Sequence, residues 1–390
     1  MQITKDLYYV GVNDRRKHLF EGLWPLPKGV SYNSYLLVDE KVALIEPVDV
    51  NFFSHLLTKL QAILGDRQID YLVVNHMEPD HSGSISLLRK YYPNVRIVGN
   101  KQTLQMVKGF YGEESEEDVL VAEGSELNLG AHTLRFYMTP LVHWPETMMA
   151  FDELSGTLFS GDAFGTFGAL NGAVLDKDLD IEPYWAEMKR YYSNIVGKYG
   201  AQVQRAMQKL AGLSIQRICS THGPVWQENI AEVTALYDRL SRYEGRRGVT
   251  VCYGSMYGNT ENMAEAVCEG IAAEGIKDIR VHNLSESHLS HVLADIFDLD
   301  TLVLGAPTYN TQIYPPMQEL LAQLKLRGVK NRRVAIFGSF TWASAAVKIL
   351  SAFVEEMGWT LVGAPIEMKQ GFNTDIAAQC RQLGHELGRQ

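Results

Sequence analysis

The sequence predicts two domains of different build, an α+β half made of many short strands followed by an α/β half with a doubly wound parallel sheet. Three observations carry this. At 390 residues the chain is long enough for two buried cores. From residue 249 onward, five apolar runs of strand length alternate with five helical stretches, the pattern of an open parallel sheet. Before residue 242 the apolar runs are shorter, and between 118 and 160 they follow one another without a helix between them. The stretch Arg242-Tyr-Glu-Gly-Arg-Arg-Gly248 is polar, carries two glycines and reads as the linker, giving expected domains of 1–245 and 249–390.

Taken in order, residues 1–48 alternate short strands, such as 34–38 and 42–45, with turns. A helix is expected over 51–64, with Phe52, Leu56, Leu57, Leu60 and Leu64 on one face. A strand at 71–74 leads into a polar loop and a helix through Leu87-Leu88. A strand at 95–98 and a helix at 101–110 follow, then strands at 119–121, 127–129, 134–138, 148–151 and 157–160. A helical stretch over 183–212, a strand at 217–220 and a helix at 227–242 close the first half. In the second half the strands are 249–254, 279–282, 301–305, 333–338 and 361–368, and the helices 260–274, 288–297, 316–326, 343–357 and 374–388.

Composition narrows the function classes. Hydrophobic content of 46% and 21% charged residues are ordinary for a globular protein. A net charge of −10 argues against a general binder of nucleic acid or anionic membrane. The N-terminal residues lack the basic start and apolar core of a signal peptide, and no apolar run approaches membrane-spanning length. Cys219, Cys252, Cys268 and Cys380 are scattered with no CxxC pair, which fits reduced thiols and a cytoplasmic location and excludes an iron–sulfur cluster or rubredoxin-type iron within this chain.

The polar loop is the centre of the first half. His76-Met77-Glu78-Pro79-Asp80-His81 sets four possible metal ligands within six residues, straight after a buried strand. Pro79 favours extended geometry at Glu78, so His76, Glu78 and Asp80 are expected on one side and His81 elsewhere. One such loop serves two ions, with His76 and Glu78 on one and Asp80 and His81 on the other. Three more candidates stand where strands meet loops: His143 in Pro140-Leu-Val-His-Trp-Pro-Glu146, Asp162 at the end of Leu158-Phe-Ser-Gly-Asp162, and His222 in Ser220-Thr-His-Gly-Pro224. Four imidazoles and three carboxylates suit a binuclear site of iron, zinc or manganese, with Asp162 bridging.

The second half carries a separate signal. The strand ending at Tyr253 runs into Gly254-Ser255-Met256-Tyr257-Gly258-Asn259-Thr260 and then a helix. Hydroxyls of Ser255 and Thr260, the Asn259 amide and backbone N–H groups at the helix start suit a phosphate. No Lys follows the glycines, so the loop is not an ATP-type P-loop. Two further loops, Pro307-Thr308-Tyr309-Asn310 and Ser339-Phe340-Thr341-Trp342, leave strands three and four. In a sheet of order 2-1-3-4-5 all three loops meet at the switch point where a mononucleotide binds, and Tyr309, Phe340 and Trp342 suit packing against an isoalloxazine ring.

These motifs carry a resemblance. The order HxExDH, His143, Ser160-Gly-Asp162 and His222-Gly223 resembles the metallo-β-lactamase superfamily, whose usual motif is HxHxDH with zinc. Glu78 in place of the second His is similar to one branch, the flavodiiron proteins (A-type flavoproteins), and residues 249–390 resemble flavodoxin. The resemblance implies an αββα sandwich, two iron ions per chain and FMN. It implies an oxidoreductase that reduces O2 to water, NO to N2O, or both, with FMN relaying electrons from an external donor. By position, His76, Glu78 and His143 would hold one iron, Asp80, His81 and His222 the other, and Asp162 would bridge. It further implies a head-to-tail homodimer or homotetramer and rubredoxin as donor, with reduced coenzyme F420 as the alternative. His18 and Tyr32 are candidate proton donors. The competing expectation is a zinc hydrolase with a flavodoxin-like appendage, using a metal-bound hydroxide; a third is an electron carrier whose metal site is structural.

Overall fold

The structure is a computed structural model that describes residues 1–389, and it divides into two units, Met1–Asp238 and a second beginning at Arg239. In the first unit, strands Leu7–Tyr9, Tyr35–Val38, Val42–Ile45, Tyr71–Val73, Arg96–Gly99 and Val119–Leu120 form one sheet in that order, parallel from Val42–Ile45 onward. Glu126–Asn128, Thr133–Met138, Met148–Asp152 and Thr157–Gly161 form an antiparallel meander, which Arg217–Ser220 extends by a parallel pairing. The sheets face each other: the Tyr35 and Phe159 rings lie 5.7 Å apart, and Tyr35 Oη donates to the Ser220 carbonyl at 2.7 Å. Helices cover the sandwich. Phe53–Leu64 buries Phe53, Leu56, Leu60 and Leu64, whereas Leu57 is only half-buried.

The parallel strands matter for the site. Glu46 follows Val42–Ile45, His76 follows Tyr71–Val73, Asp162 follows Thr157–Gly161 and His222 follows Arg217–Ser220. Each is therefore delivered at a carboxyl end of a parallel strand, where the chain must leave the sheet.

The second unit has strand order Ile279–Asn283, Arg246–Tyr253, Leu299–Tyr309, Arg333–Phe340 and then Thr360–Leu361 with Ile366–Lys369, all parallel. This is the doubly wound 2-1-3-4-5 order. Helices Asn259–Ala273 and Thr374–Gly388 pack with backbones in close approach; a Cβ on Gly270 would lie 2.1 Å from the Arg381 carbonyl oxygen.

Several elements differ from expectation. The strand starting at Arg246 lies within the expected linker, because Arg246 and Arg239 both bind buried Asp298. The last strand is split around Gly363-Ala-Pro365, where proline supplies no N–H to the ladder. The helical stretch over 183–212 is interrupted: Glu182–Tyr191 runs into a widened π turn, Tyr192–Val196, and a tight turn, Gly197–Tyr199, before Gly200–Leu210. A short hairpin whose strands have two residues each, Leu19–Phe20 with Trp24–Pro25, gave no periodic signal.

Candidate functional site

Glu78 takes extended geometry (φ −60°, ψ 133°), as the residue before a proline must. Pro79 then opens a single helical turn, Pro79–Ser82, so the extended reading of Asp80 is corrected: Asp80 and His81 belong to that turn. The turn sends Asp80 toward His222, while the His81 ring stays 5.0 Å from the His76 ring. His76 Nε2 lies 3.3 Å from His143 Nε2, and His143 Nε2 lies 3.1 Å from Glu78 Oε2. On the other side Asp80 Oδ2 lies 3.3 Å from His222 Nε2, and Asp80 Oδ1 lies 3.6 Å from His81 Nε2.

Asp162 stands between the two groups. Gly161, at φ +57°, ends the strand in a conformation that L side chains rarely adopt, and turns Asp162 inward. Asp162 Oδ2 is 3.0 Å from His143 Nε2 and 3.6 Å from His76 Nε2. Its Oδ1 is 3.3 Å from His81 Nε2 and 3.6 Å from His222 Nε2. All seven side chains are buried.

Three ring nitrogens that point outward from this cluster face groups that the sequence did not reveal. His76 Nδ1 meets Glu146 Oε1 at 2.7 Å, and His222 Nδ1 donates to the Ser31 carbonyl at 2.7 Å. His81 Nδ1 faces Glu46 Oε2 at 3.7 Å, and Thr221 Oγ1 donates to Asp162 Oδ1. Such partners fix the ring tautomer and leave Nε2 for a metal. Glu146 lies only three residues beyond His143, so its place in that motif was the available clue. Tyr191 was also missed. It is fully buried, its hydroxyl has no hydrogen-bond partner among the described residues, and its ring lies 5.7 Å from His222.

The electrostatics describe a nest for positive charge. Burial opposes the charged form of His143, yet Asp162 and Glu78 outweigh it and raise its pKa to about 10. His76, His81 and His222 are likewise raised against their burial by neighbouring carboxylates. Burial pushes Glu78 and Asp162 up, but the imidazoles beside them prevail and hold both low.

The residues fit a binuclear metal centre on a direct test. Both Asp80 oxygens, His81 Nε2 and His222 Nε2 are buried without a hydrogen bond among the described residues. Folded proteins seldom leave buried polar atoms unsatisfied, and here these atoms converge with opposite partial charges short of ideal hydrogen-bond geometry. Among the described residues, His76, Glu78, His81 and Asp162 form one metal-competent group, and Asp80, His81 and His222 another. Mixed imidazole and carboxylate donors without thiolate suit iron, zinc or manganese.

In the second unit the three loops line a cavity of about 290 Å³. Ser255, Met256, Tyr257, Asn259 and Thr260 come from the first loop, Pro307, Thr308, Tyr309 and Asn310 from the second, and Ser339, Phe340, Thr341 and Trp342 from the third. Thr311, Ala343 and Gln370 also line it and were missed, since none sits in a motif. Gly258 (φ +85°), which has no side chain to offer, is the N-cap of helix Asn259–Ala273, so the first N–H groups of that helix are available to a phosphate. Gly258 N donates to Ser255 Oγ at 3.1 Å, and Thr260 Oγ1 lies 2.9 Å from Ser339 Oγ. Tyr257 is 91% exposed and Trp342 83%, which leaves aromatic faces at the cavity uncovered. Thr308 does different work: its Oγ1 accepts the Ala345 and Ala346 N–H groups at 3.0 and 3.1 Å and so caps helix Ala346–Glu356. Asn259 Oδ1 likewise accepts Phe372 N–H at 3.1 Å.

Of the two proton-donor candidates, Tyr32 is buried with its ring 6.0 Å from His222, and its Oη accepts from Lys17 Nζ at 3.1 Å. His18 is exposed, its carbonyl accepting Leu26 N–H.

Comparison with known proteins gives the same division. Residues 30–223 match the family described as ODP family beta lactamase, and residues 251–384 match Flavodoxin. A flavodiiron protein of Giardia intestinalis is 28% identical, covered over 100% of this chain and 95% of its own, with a TM-score of 0.94. The chain belongs to the flavodiiron protein family. This flavodiiron protein is also similar to rubredoxin oxygen:oxidoreductase from Desulfovibrio gigas, at 26% identity over 100% of this chain and 98% of that one, with a TM-score of 0.94. A nitric oxide reductase of Moorella thermoacetica is 29% identical over 99% of this chain and 97% of its own length. The flavodiiron family is one of oxidoreductases that join a di-iron site to FMN, which sets aside the zinc-hydrolase alternative. No helix among the described residues is long and apolar enough to cross a membrane.

Proposed function

We propose that this flavodiiron protein reduces O2 to water, NO to N2O, or both, with His76, Glu78 and His143 on one iron, Asp80, His81 and His222 on the other, and Asp162 between them. The observation that carries this is the Asp162 carboxylate, whose two oxygens face different pairs of imidazoles. The names of the relatives, a nitric oxide reductase and a rubredoxin oxygen:oxidoreductase, support both gases and a rubredoxin as donor. Reduced coenzyme F420 is the alternative donor.

When bound, the iron pair and FMN supply up to four electrons to a diatomic gas. The protein's own groups do the rest. Glu146, the Ser31 carbonyl and Glu46 hold three imidazoles with Nε2 turned inward. Phe20, Phe167 and Tyr191 wall the His222 side with apolar rings, which keeps bulk water from that half. The Tyr191 hydroxyl, without a partner among the described residues, is a hydrogen-bond donor for an oxygen atom of the gas, and the Lys17–Tyr32 pair offers a second protic group beside His222. In the second unit Trp342, Tyr257 and Tyr309 present the surfaces for an isoalloxazine ring. A head-to-tail homodimer or homotetramer, pairing FMN with the iron of a second copy, belongs to this reading, as does a cytoplasmic location, which the four free cysteines support.

The test is anaerobic stopped-flow on protein with iron and FMN quantified, fully reduced and then mixed with O2 or NO. Rapid reoxidation by either gas supports the reading and ranks the gases. Zinc in place of iron, or flavin that reoxidises no faster than free FMN with both gases, overturns it.

A further inference from the structure

The hairpin Leu19–Phe20 and Trp24–Pro25 reaches over the metal cluster. Phe20 is buried, and its ring stands edge-on to His222 with centroids 5.4 Å apart. That contact anchors the hairpin on one half of the cluster. The next residue, Glu21, is thereby carried to the other half. One ligand atom each from Glu21, Glu78 and His143 lie within 4.8 Å of one another. Ligands about 2.0–2.2 Å from one ion stand at most roughly 4.4 Å apart, so a shift of a few tenths of an ångström lets all three share an ion.

The Glu21 carboxylate is positioned for this. Trp24 Nε1 donates to its Oε2 at 3.0 Å, and among the described residues no other hydrogen bond or ion pair engages the group. It sits at φ +50°, in a left-handed conformation uncommon for a residue with a side chain. Unlike the seven buried side chains it is exposed, so it marks the solvent side of the site.

We infer that Glu21 is an eighth protein ligand, a displaceable carboxylate on the solvent side of the ion held by His76, Glu78 and His143. This rests on the di-iron reading. It makes the two irons unequal: the His76 half is closed by a protein oxygen at rest, and a small molecule binds there by displacing it. Among the described residues the Asp80–His81–His222 half has no such carboxylate, and the apolar ring of Phe20 stands against His222 there.

The test uses the holoprotein with Glu21→Gln and Glu21→Ala, iron and FMN quantified, by Mössbauer spectroscopy of the oxidised form and titration with azide. In the wild type, two distinct iron signals are expected. Either substitution shifts one signal and leaves the other in place. If Glu21 occupies its position about nine-tenths of the time, its removal tightens azide binding about tenfold. Glu21→Gln keeps the size and the Trp24 acceptor, so it decides the matter should Glu21→Ala lose iron. Both signals and azide affinity unchanged in a fully loaded Glu21→Gln protein would overturn the assignment of Glu21 alone. A wild type without an iron pair would instead overturn the di-iron reading and this inference with it.

Discussion

Glu146 Oε1 sits 2.7 Å from His76 Nδ1 and also accepts the Met77 N–H at 2.9 Å. One buried carboxylate thus fixes both the ring and the backbone of the strand-to-loop junction from which Glu78, Asp80 and His81 are launched. Replacing Glu146 with Gln keeps the volume but weakens the charge-assisted bond to the ring. Loss of an orienting partner of this kind costs about 10- to 100-fold in metal affinity. Glu146→Gln is expected to release iron to a chelator faster by a factor in that range while FMN content stays at the wild-type level. Iron retention equal to wild type would remove Glu146 from this role.

The parts of this architecture that were legible in the sequence have a common cause. His76, Glu78, Asp80, His81, His143, Asp162 and His222 are chemically marked residues at the ends of apolar strands, and strand ends are where a parallel sheet gathers its loops. The 2-1-3-4-5 sheet was legible because buried parallel strands are nearly continuous apolar runs, such as Leu302-Val-Leu304. What escaped notice depends on long-range contact. Glu46 meets His81 from another strand, and Ser31 offers a backbone carbonyl to His222 from 191 residues away. The Glu21 hairpin has strands of two residues, too short for any periodicity. Tyr191 lies in an amphipathic helix where an aromatic reads as core. Thr308 reads as a cavity residue, yet its hydroxyl caps a helix.

Trp342 and Thr308 separate flavin binding from stability. Trp342 is 83% exposed at the cavity, so the isolated fold gains little from its ring. Aromatic stacking contributes about 0.5–1.5 kcal/mol beyond area burial. Trp342→Ala is expected to weaken FMN binding by roughly two- to twelvefold, measured by fluorescence titration, with little change in unfolding of the flavin-free protein. Thr308→Val removes the acceptor for two N–H groups at a helix start and should cost about 1 kcal/mol of stability. Equal effects of both substitutions on both readouts would contradict this division.

Asp298 organises the segment that reads as a linker. It is fully buried and meets Arg239 Nη2 at 2.7 Å, Arg246 Nη2 at 2.7 Å and Arg280 Nη2 at 3.0 Å. Arg280 keeps Asp278 and Asp295 if Asp298 is lost, but Arg239 and the first strand lose a buried partner. Hydrogen bonds to charged groups contribute about 1.5–3 kcal/mol each, and these guanidiniums are partly hydrated, so Asp298→Asn is expected to cost about 3 kcal/mol. Denaturant unfolding followed by flavin release measures it. A cost below about 1 kcal/mol, the range of surface pairs, would show that the network is dispensable.

His132 gives the fold a pH-dependent contribution away from the metal cluster. Its Nδ1 lies 2.9 Å from Asp152 Oδ2, its Nε2 lies 3.2 Å from Asp6 Oδ2, and its backbone N–H donates to Asp39 Oδ2 at 2.7 Å. Burial lowers the pKa of this ring, but Asp152 and Asp6 outweigh it and the net shift is upward. The folded state therefore binds the proton more tightly than an unfolded chain, where histidine titrates near about 6.5. The stabilisation from the charged ring is complete below that value and is lost as pH rises through the higher folded pKa. Wild type should exceed His132→Gln in unfolding free energy by more at about pH 6 than at about pH 9. Salt should shrink the difference, because Asp6 is partly exposed and its charge is screened. A gap between wild type and variant that stays constant across this range would mean that His132 acts as a neutral hydrogen-bond donor rather than as a charge.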